Sequence, residues 1–157
     1  MRVLGWLVAG CVLSMLYVSS VPAQIGGGGG QFSSLGVWVS SGDVTVVVAK
    51  SRDSAAAWSR TTGEWKRIEF KAKDTDALVA VVGDDVTAFR AGDRIFAFGG
   101  ESGQWDSIAV SEKLQSVPVV GHGYASVEED GKYFIFSSKV GKWSGVELAS
   151  AKLVTNE

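Results

Sequence analysis

Three stretches of the chain decide its fold: AAAWSRTTGEW (residues 55–65), IFAFGGESGQW (95–105) and YFIFSSKVGKW (133–143). Each stretch ends in Gly-x-Trp, and the closing tryptophans stand 40 and 38 residues apart. A recurrence at this period indicates one supersecondary unit that is repeated along the chain. The fold can therefore be argued from the repeat.

The second and third copies align without a gap at an offset of 38 residues, so that RIFAF (94–98) falls on KYFIF (132–136). The first copy needs two additional residues in one turn, between Val44 and Asp53. The copies lie at about residues 35–73, 77–113 and 115–150.

Within the second copy, short apolar runs alternate with turn residues. The runs are residues 78–82, 86–90, 94–98 and 104–110. Runs of β-branched and aromatic residues separated by a few Gly, Asp or Ser residues are typical of antiparallel hairpins, so each copy is predicted to form a four-stranded antiparallel meander. The chain lacks a sustained apolar spacing of three and four residues, which argues against helix.

The predicted strands are apolar on both sides. Residues 78–82 and 95–98 are apolar at every position, whereas a sheet with one solvated face would alternate polar and apolar residues. We therefore expect the sheets to pack face to face on their neighbours.

This pattern resembles the blades of a β-propeller, and its Gly-x-Trp resembles the Thr-Gly-x-Trp segment of kelch-type repeats, most closely at TGEW (62–65). The resemblance covers about residues 35–150 and implies an all-β, β-propeller-like domain without a family activity. Closed propellers have roughly four to eight blades, so three copies are too few. Either two chains join as a homodimer with a six-bladed ring, or the copies close as a β-trefoil, or an open stack is capped by residues 32–34 and 153–157.

The N-terminal residues predict export. Arg2 precedes an apolar run at residues 3–17, and VPA (21–23) suits cleavage after Ala23. Two alternatives remain: a lipoprotein acylated at Cys11, which ends a lipobox-like VAGC, and an uncleaved membrane anchor. We predict a signal peptide at 1–23 and a protein that is periplasmic, on the cell surface or secreted.

Residues 24–34 are predicted to be a flexible linker because they contain five consecutive glycines, and the folded domain is predicted at 35–157. Cleavage after Ala23 leaves 14 basic and 17 acidic side chains, a net charge of −3, and no cysteine. The mature domain must therefore be stable without disulfides. The absence of a basic stripe argues against a nucleic-acid partner, and no segment of the mature chain is apolar for long enough to span a membrane.

The candidate ligand-binding residues are aromatic: Trp65, Trp105, Trp143 and Tyr124. Aromatic faces suit sugar rings, but identical tryptophans at identical repeat positions are also what packing between blades would require. The single histidine, His122, stands between two glycines, without a visible nucleophile or companion ligands. It is interpreted as a hairpin-turn residue.

Acidic residues cluster in the predicted turns: Asp43, Asp84, Asp85, Asp93, Glu128, Glu129 and Asp130. A carboxylate pair could support glycoside hydrolysis or calcium binding, but Asp is also what such turns need for their geometry. We therefore predict no catalytic residue, no metal site and no cofactor. The sequence favours an exported, non-catalytic module that binds an unknown protein or glycan, with a lectin-like module as the alternative and a glycoside hydrolase less favoured.

Overall fold

The computed structural model describes residues 30–33, 36–72, 78, 80–111 and 116–154, and side chains from residue 38 onward. The predicted signal peptide and most of the predicted linker lie outside these residues. The regular structure of the described residues is entirely β, in fourteen strands that form three antiparallel sheets.

Each sheet takes consecutive strands of the chain in their sequence order. The first sheet contains β1 (Gly30–Ser33), β2 (Gly36–Ser41), β3 (Val44–Ala49), β4 (Ser54–Ser59) and β5 (Trp65–Glu69). The middle sheet contains β6 (Val81–Val82), β7 (Val86–Ala91), β8 (Arg94–Gly99) and β9 (Gln104–Ala109). The third sheet contains β10 (Val119–Val120), β11 (Tyr124–Glu129), β12 (Lys132–Ser137), β13 (Lys142–Glu147) and β14 (Leu153–Val154).

The predicted all-β fold of three meander repeats is confirmed, with each sheet a blade of the kind that builds β-propellers. The strands β6 to β9 and β10 to β13 begin at positions that differ by 38 residues throughout, as the alignment requires. The two additional residues of the first copy lie in the turn 50–53, where the middle sheet has only Gly92 and Asp93. A β-trefoil is excluded because each meander pairs only with itself.

Two strands depart from the predicted plan of four per sheet. Residues 30–33, which the sequence assigns to the linker, pair with β2 as strand β1, and Leu153–Val154 pairs with β13 as strand β14. The edges of β2 and β13 would otherwise present unpaired N–H and C=O groups, and a short neighbouring segment satisfies some of them.

The middle sheet lies between the other two. We name the side of each sheet that points toward the following sheet its forward face, and the other side its rear face. Successive side chains of a strand alternate between the two faces. The forward face of the first sheet packs on the rear face of the middle sheet, and their buried residues are Val44, Val46, Val48, Ala55, Ala57, Phe70, Val82, Phe89, Ala91, Phe96 and Phe98.

The second junction repeats the first. The forward face of the middle sheet packs on the rear face of the third sheet through Val86, Ala88, Ile95, Ala97, Ile108, Val110, Ala125, Val127, Phe134, Phe136 and Trp143. Because the middle sheet is covered on both sides, four consecutive residues of β8, Ile95 to Phe98, are all buried. Burial of one such large side chain stabilises the fold by about 1.5–3 kcal/mol.

The Gly-x-Trp motif has a local structural reason. Gly63, Gly103 and Gly141 each have a positive φ, of 67°, 64° and 71°, in the turn between the last two strands of their meander. Their N–H groups donate to the carbonyls of Ser59, Gly99 and Ser137, each over 2.8 Å. Only glycine adopts this left-handed conformation without a steric penalty, so the same residue recurs in all three turns.

Candidate functional site

The turns at one end of the three sheets lie side by side. They comprise residues 42–43 and 60–64 of the first sheet, 83–85 and 100–103 of the middle sheet, and 121–123 and 138–141 of the third sheet, and we name them the turn surface. Loops on a rigid scaffold commonly carry binding residues. Since every repeat contributes equivalent turns, this end is a candidate for recognition.

Hydrogen bonds between neighbouring sheets fix the turn surface. The N–H of Gly100 donates to the carbonyl of Asp85 over 2.7 Å, and that of Ser102 donates to the carbonyl of Ser138 over 3.0 Å. The Ser138 hydroxyl donates to the Asp85 carbonyl over 2.7 Å, and the Ser59 hydroxyl donates to the Gly100 carbonyl. The buried hydroxyls of Ser59 and Ser138 thus hold successive turns in register.

Three acidic residues predicted from the sequence, Asp43, Asp84 and Asp85, lie at this surface, and two of them have partners in the turns. The carboxylate of Asp43 lies 3.3 Å from Nη1 of Arg60. The buried carboxylate of Asp85 accepts the N–H of Gly123 over 2.7 Å. These contacts give both carboxylates a structural role in the turns.

Asp84 and His122 occupy equivalent positions in adjacent repeats and face each other. His122 Nδ1 lies 3.5 Å from Asp84 Oδ2, and the His122 side chain is 85% exposed. His122 lies in the turn before β11, as predicted for a turn residue. A general base would need a nucleophile within hydrogen-bonding distance; among the described residues, the group that lies beside this imidazole is the Asp84 carboxylate.

The other predicted acids lie away from this surface. Asp93 and Asp130 lie in turns at the opposite end of the sheets, and Glu128 is exposed on β11. At the turn surface itself, the Lys66 ammonium bonds to Glu64 over 2.6 Å and lowers the pKa of that carboxyl. The predicted acids therefore do not form one cluster. In the described residues no group of three or more His, Cys, Asp or Glu side chains is arranged to hold a metal ion.

The repeated tryptophans differ in exposure according to their sheet. Trp143 is 5% exposed at the second junction, and Trp65 is 55% exposed on the rear face of the first sheet. Trp105 is half-buried at the first junction, where its Nε1 donates to the Lys66 carbonyl over 2.9 Å and its ring lies 5.2 Å from that of Phe98. Two of the three rings therefore pack between sheets, and the third has no sheet in front of it in the described chain.

Two further aromatic residues lie on the outward faces. Trp58 is half-buried and lies directly opposite Trp65 in the register of β4 and β5. Tyr124, 39% exposed, lies on the forward face of the third sheet beside Gly121. The four predicted ligand-binding residues are thus spread over three sheets. The half-buried Trp58 and the exposed Trp65 together form an aromatic platform on the rear face of the first sheet.

An open cavity of about 400 Å³ lies between the first and middle sheets, at the end opposite the turn surface. Phe70 and Phe96 line its base, and Arg94, Lys71 and Glu69 lie at its rim. Arg94 Nη2 donates to the Ser107 hydroxyl over 3.0 Å. The cavity offers an apolar floor with mixed charges around it.

Sequence reasoning missed one buried ion pair. Arg90 Nη1 lies 3.7 Å from Glu129 Oε2, and their side chains are 13% and 4% exposed. Glu129 also accepts the N–H of Ser111 over 2.6 Å. The signal was present in the alignment, because Glu129 falls on Ala91 and on Ala49, so that a charge replaces a small apolar residue of the other copies.

Solved structures similar to this chain include Hsv2 proteins. KlHsv2 with loop 6CD replaced by a Gly-Ser linker is 15% identical, with a TM-score of 0.39, and the match covers 69% of this chain and 36% of that chain. Kluyveromyces lactis Hsv2 is 11% identical, with a TM-score of 0.38, and the match covers 73% of this chain and 48% of that chain. This chain therefore spans less than half the length of these proteins.

No family model matches the sequence, and no curated protein matches it. None of the described residues forms a helix of the length and apolarity that crossing a membrane requires. The assignment of the fold therefore rests on the three stacked sheets themselves.

Proposed function

We propose that the protein is an exported, non-catalytic binding module that presents its turn surface to a partner outside the cytoplasm. The observation that carries this proposal is the alignment of equivalent turns from all three repeats at one end of a rigid stack, held by hydrogen bonds between the sheets. A kelch-type origin of the repeat is part of the proposal, supported by the Gly-x-Trp turns that recur with the same φ and the same hydrogen bond.

The contacts of the acidic residues support a role without catalysis. A retaining or inverting glycosidase needs two carboxylates free to act on a substrate, one as an acid and one as a nucleophile or base. At the turn surface, Asp43 is paired with Arg60, Asp84 with His122, and Asp85 with a backbone N–H. The carboxylates of Asp43 and Asp85 are engaged in holding turns, and that of Asp84 lies beside His122.

Site-specific photo-crosslinking tests the proposal. A photoreactive side chain at Glu101, which is exposed on the turn surface, is compared with one at Lys50, which is exposed at the opposite end. We expect adducts with an extracytoplasmic partner at position 101 and none at position 50. Adducts at position 50 alone, or no adduct at position 101 in the exported protein, would refute the turn surface as the binding site.

A lectin-like module is the second candidate, and the exposed Trp65 with the half-buried Trp58 beside it favours it. Aromatic faces stack on the apolar faces of sugar rings. Glycan-array binding by the wild-type protein that is lost in Trp65→Ala and retained in Tyr133→Ala would support this candidate. Glycan binding that survives Trp65→Ala would exclude the platform.

A further inference from the structure

Within the described part of the chain, two sheet faces lack a neighbouring sheet and carry apolar side chains. The forward face of the third sheet exposes Tyr124, Tyr133 and Ile135, which are 39%, 36% and 39% exposed. The rear face of the first sheet exposes Trp65, with Trp58 beside it. Contiguous exposed apolar patches usually mark an interaction site.

The equivalent residues of the other repeats pack at the junctions between sheets. Tyr133 and Ile135 align with Ile95 and Ala97 of the middle sheet, which are both 0% exposed at the second junction. Trp65 aligns with the tryptophans that pack between sheets. Each outward face is therefore one half of a junction that the chain already forms twice.

The sizes of the side chains indicate that the two outward faces belong together. At the internal junctions the forward face contributes the small Ala57 or Ala97, and the rear face contributes the large Phe96 or Phe134. At one position of each outward face the sizes are exchanged, because Ile135 replaces the alanine of the forward face and Ala56 replaces the phenylalanine of the rear face. A core junction tolerates such an exchange when the total volume is conserved.

From this complementarity we infer that a second copy of the chain covers both faces. The forward face of each third sheet packs on the rear face of the partner's first sheet, since the middle sheet separates these two faces within one chain. This contact joins two different surfaces of the chain. It therefore gives a closed ring only if the rotation from one copy to the next completes a full turn, and otherwise it gives a filament. Two chains give six blades, which lies within the roughly four to eight of closed propellers, whereas three chains would exceed it.

The first internal junction also contains a hydrogen bond that has an equivalent at the new junction. Trp105 Nε1 donates to the carbonyl of Lys66 in the preceding sheet. Trp65 is the equivalent of Trp105, and Ser144 is the equivalent of Lys66 two repeats later. On the pattern of the first junction, the indole N–H of Trp65 is expected to donate to the carbonyl of Ser144 of the partner subunit. The dimer is independent of the proposed binding function, because it uses the sheet faces and leaves the turn surface free.

Sedimentation equilibrium with charged variants tests the dimer. The wild-type protein is expected at twice the chain mass. Ile135→Lys and Ala56→Glu, one on each outward face, are each expected at the mass of one chain, because each places a charge at both junctions. Val140→Lys, which changes a 62% exposed residue of a turn, is the matched control and is expected to remain a dimer.

Mixing distinguishes the head-to-tail dimer from other arrangements. A mixture of Ile135→Lys and Ala56→Glu is expected to recover the dimer, since one of its junctions is native and the other brings opposite charges together. A wild-type monomer or a wild-type filament would overturn the proposal. A dimer that Ala56→Glu leaves intact would also overturn it, because such a dimer would be formed by two third sheets packed face to face. Circular dichroism of each variant confirms that a monomer is folded.

Discussion

The three repeated tryptophans are expected to differ in their contribution to stability, although they occupy the same position of the repeat. Trp143→Ala should destabilise the fold most, Trp105→Ala less and Trp65→Ala least. The order follows from the sheet that each residue occupies, since Trp143 is buried, Trp105 is half-buried and Trp65 is 55% exposed. A role in the local turn alone would give three equal costs.

The magnitudes follow from burial and contacts. Truncation of a buried tryptophan costs about 3–5 kcal/mol, which is expected for Trp143. Trp105 contacts the rings of Phe89 and Phe98 at 5.8 and 5.2 Å and donates one hydrogen bond, so about 2–4 kcal/mol is expected. The exposed Trp65 is expected to cost about 1 kcal/mol or less in the monomer. Since a domain is stable by about 5–15 kcal/mol, the loss at Trp143 is a large share of the total.

Urea unfolding followed by circular dichroism measures these costs. All three substitutions are made in the Ile135→Lys variant, so that association does not add to the stability of one chain. The urea concentration at the midpoint of unfolding should be highest for Trp65→Ala, lower for Trp105→Ala and lowest for Trp143→Ala. The dependence of the unfolding free energy on urea concentration should be the same for all three. A Trp65→Ala variant as unstable as Trp143→Ala would refute the assignment of Trp65 to an outward face.

Three further predictions concern the core, the turns and the N-terminus. Arg90→Met should cost about 3–5 kcal/mol in urea unfolding because it removes the cation beside the buried Glu129 carboxylate, together with hydrogen bonds to the carbonyls of Gly92, Ser111 and Ser116. Adding Glu129→Gln should restore part of this loss; equal stability of the single and double variants would contradict the role of the ion pair. Gly63→Ala should lower the free energy of unfolding by about 1–2 kcal/mol because of the positive φ alone. Gly103→Ala should lower it further, because the added Cβ would also meet Thr62 at 2.8 Å. A Gly63→Ala variant as stable as the wild type would contradict the left-handed conformation of this turn. The exported protein should begin at residue 24 by mass spectrometry, whereas an acylated N-terminus at residue 11 would show a lipoprotein.

The repeat predicted the meanders because turn chemistry and strand composition are local signals. Glycine with a positive φ recurs at Gly63, Gly103 and Gly141, and the apolar strands between the turns follow the same offset in the sequence and in the structure. Local propensity and the demand for buried faces agree at these positions, which is why the pattern could be read directly.

The edge strands could not be predicted in the same way. Strand β14 comprises only Leu153 and Val154, and β1 comprises four residues that begin within the glycine run. Neither segment has an alternating pattern or turn signals around it. They are strands because the edges of β2 and β13 offer hydrogen-bonding groups, which is a property of the assembled sheet.

The exposure and the contacts of the candidate site residues also could not be predicted from the sequence. The alignment treats Trp65, Trp105 and Trp143 as equivalent, and only the order of the sheets shows that Trp65 lies at an end of the stack. The pairing of Asp84 with His122 depends on contact between turns 38 residues apart in the chain. Such contacts follow from the stacking of repeats, which a single repeat does not encode.

Amide hydrogen exchange of the Ile135→Lys variant tests the stacking of the three sheets most directly. In this monomer the middle sheet is covered on both faces, and each outer sheet on one. We expect the amides of β7 and β8 to exchange more slowly than those of the corresponding strands β3, β4, β11 and β12. Slower exchange in the first or third sheet than in the middle sheet would contradict the account.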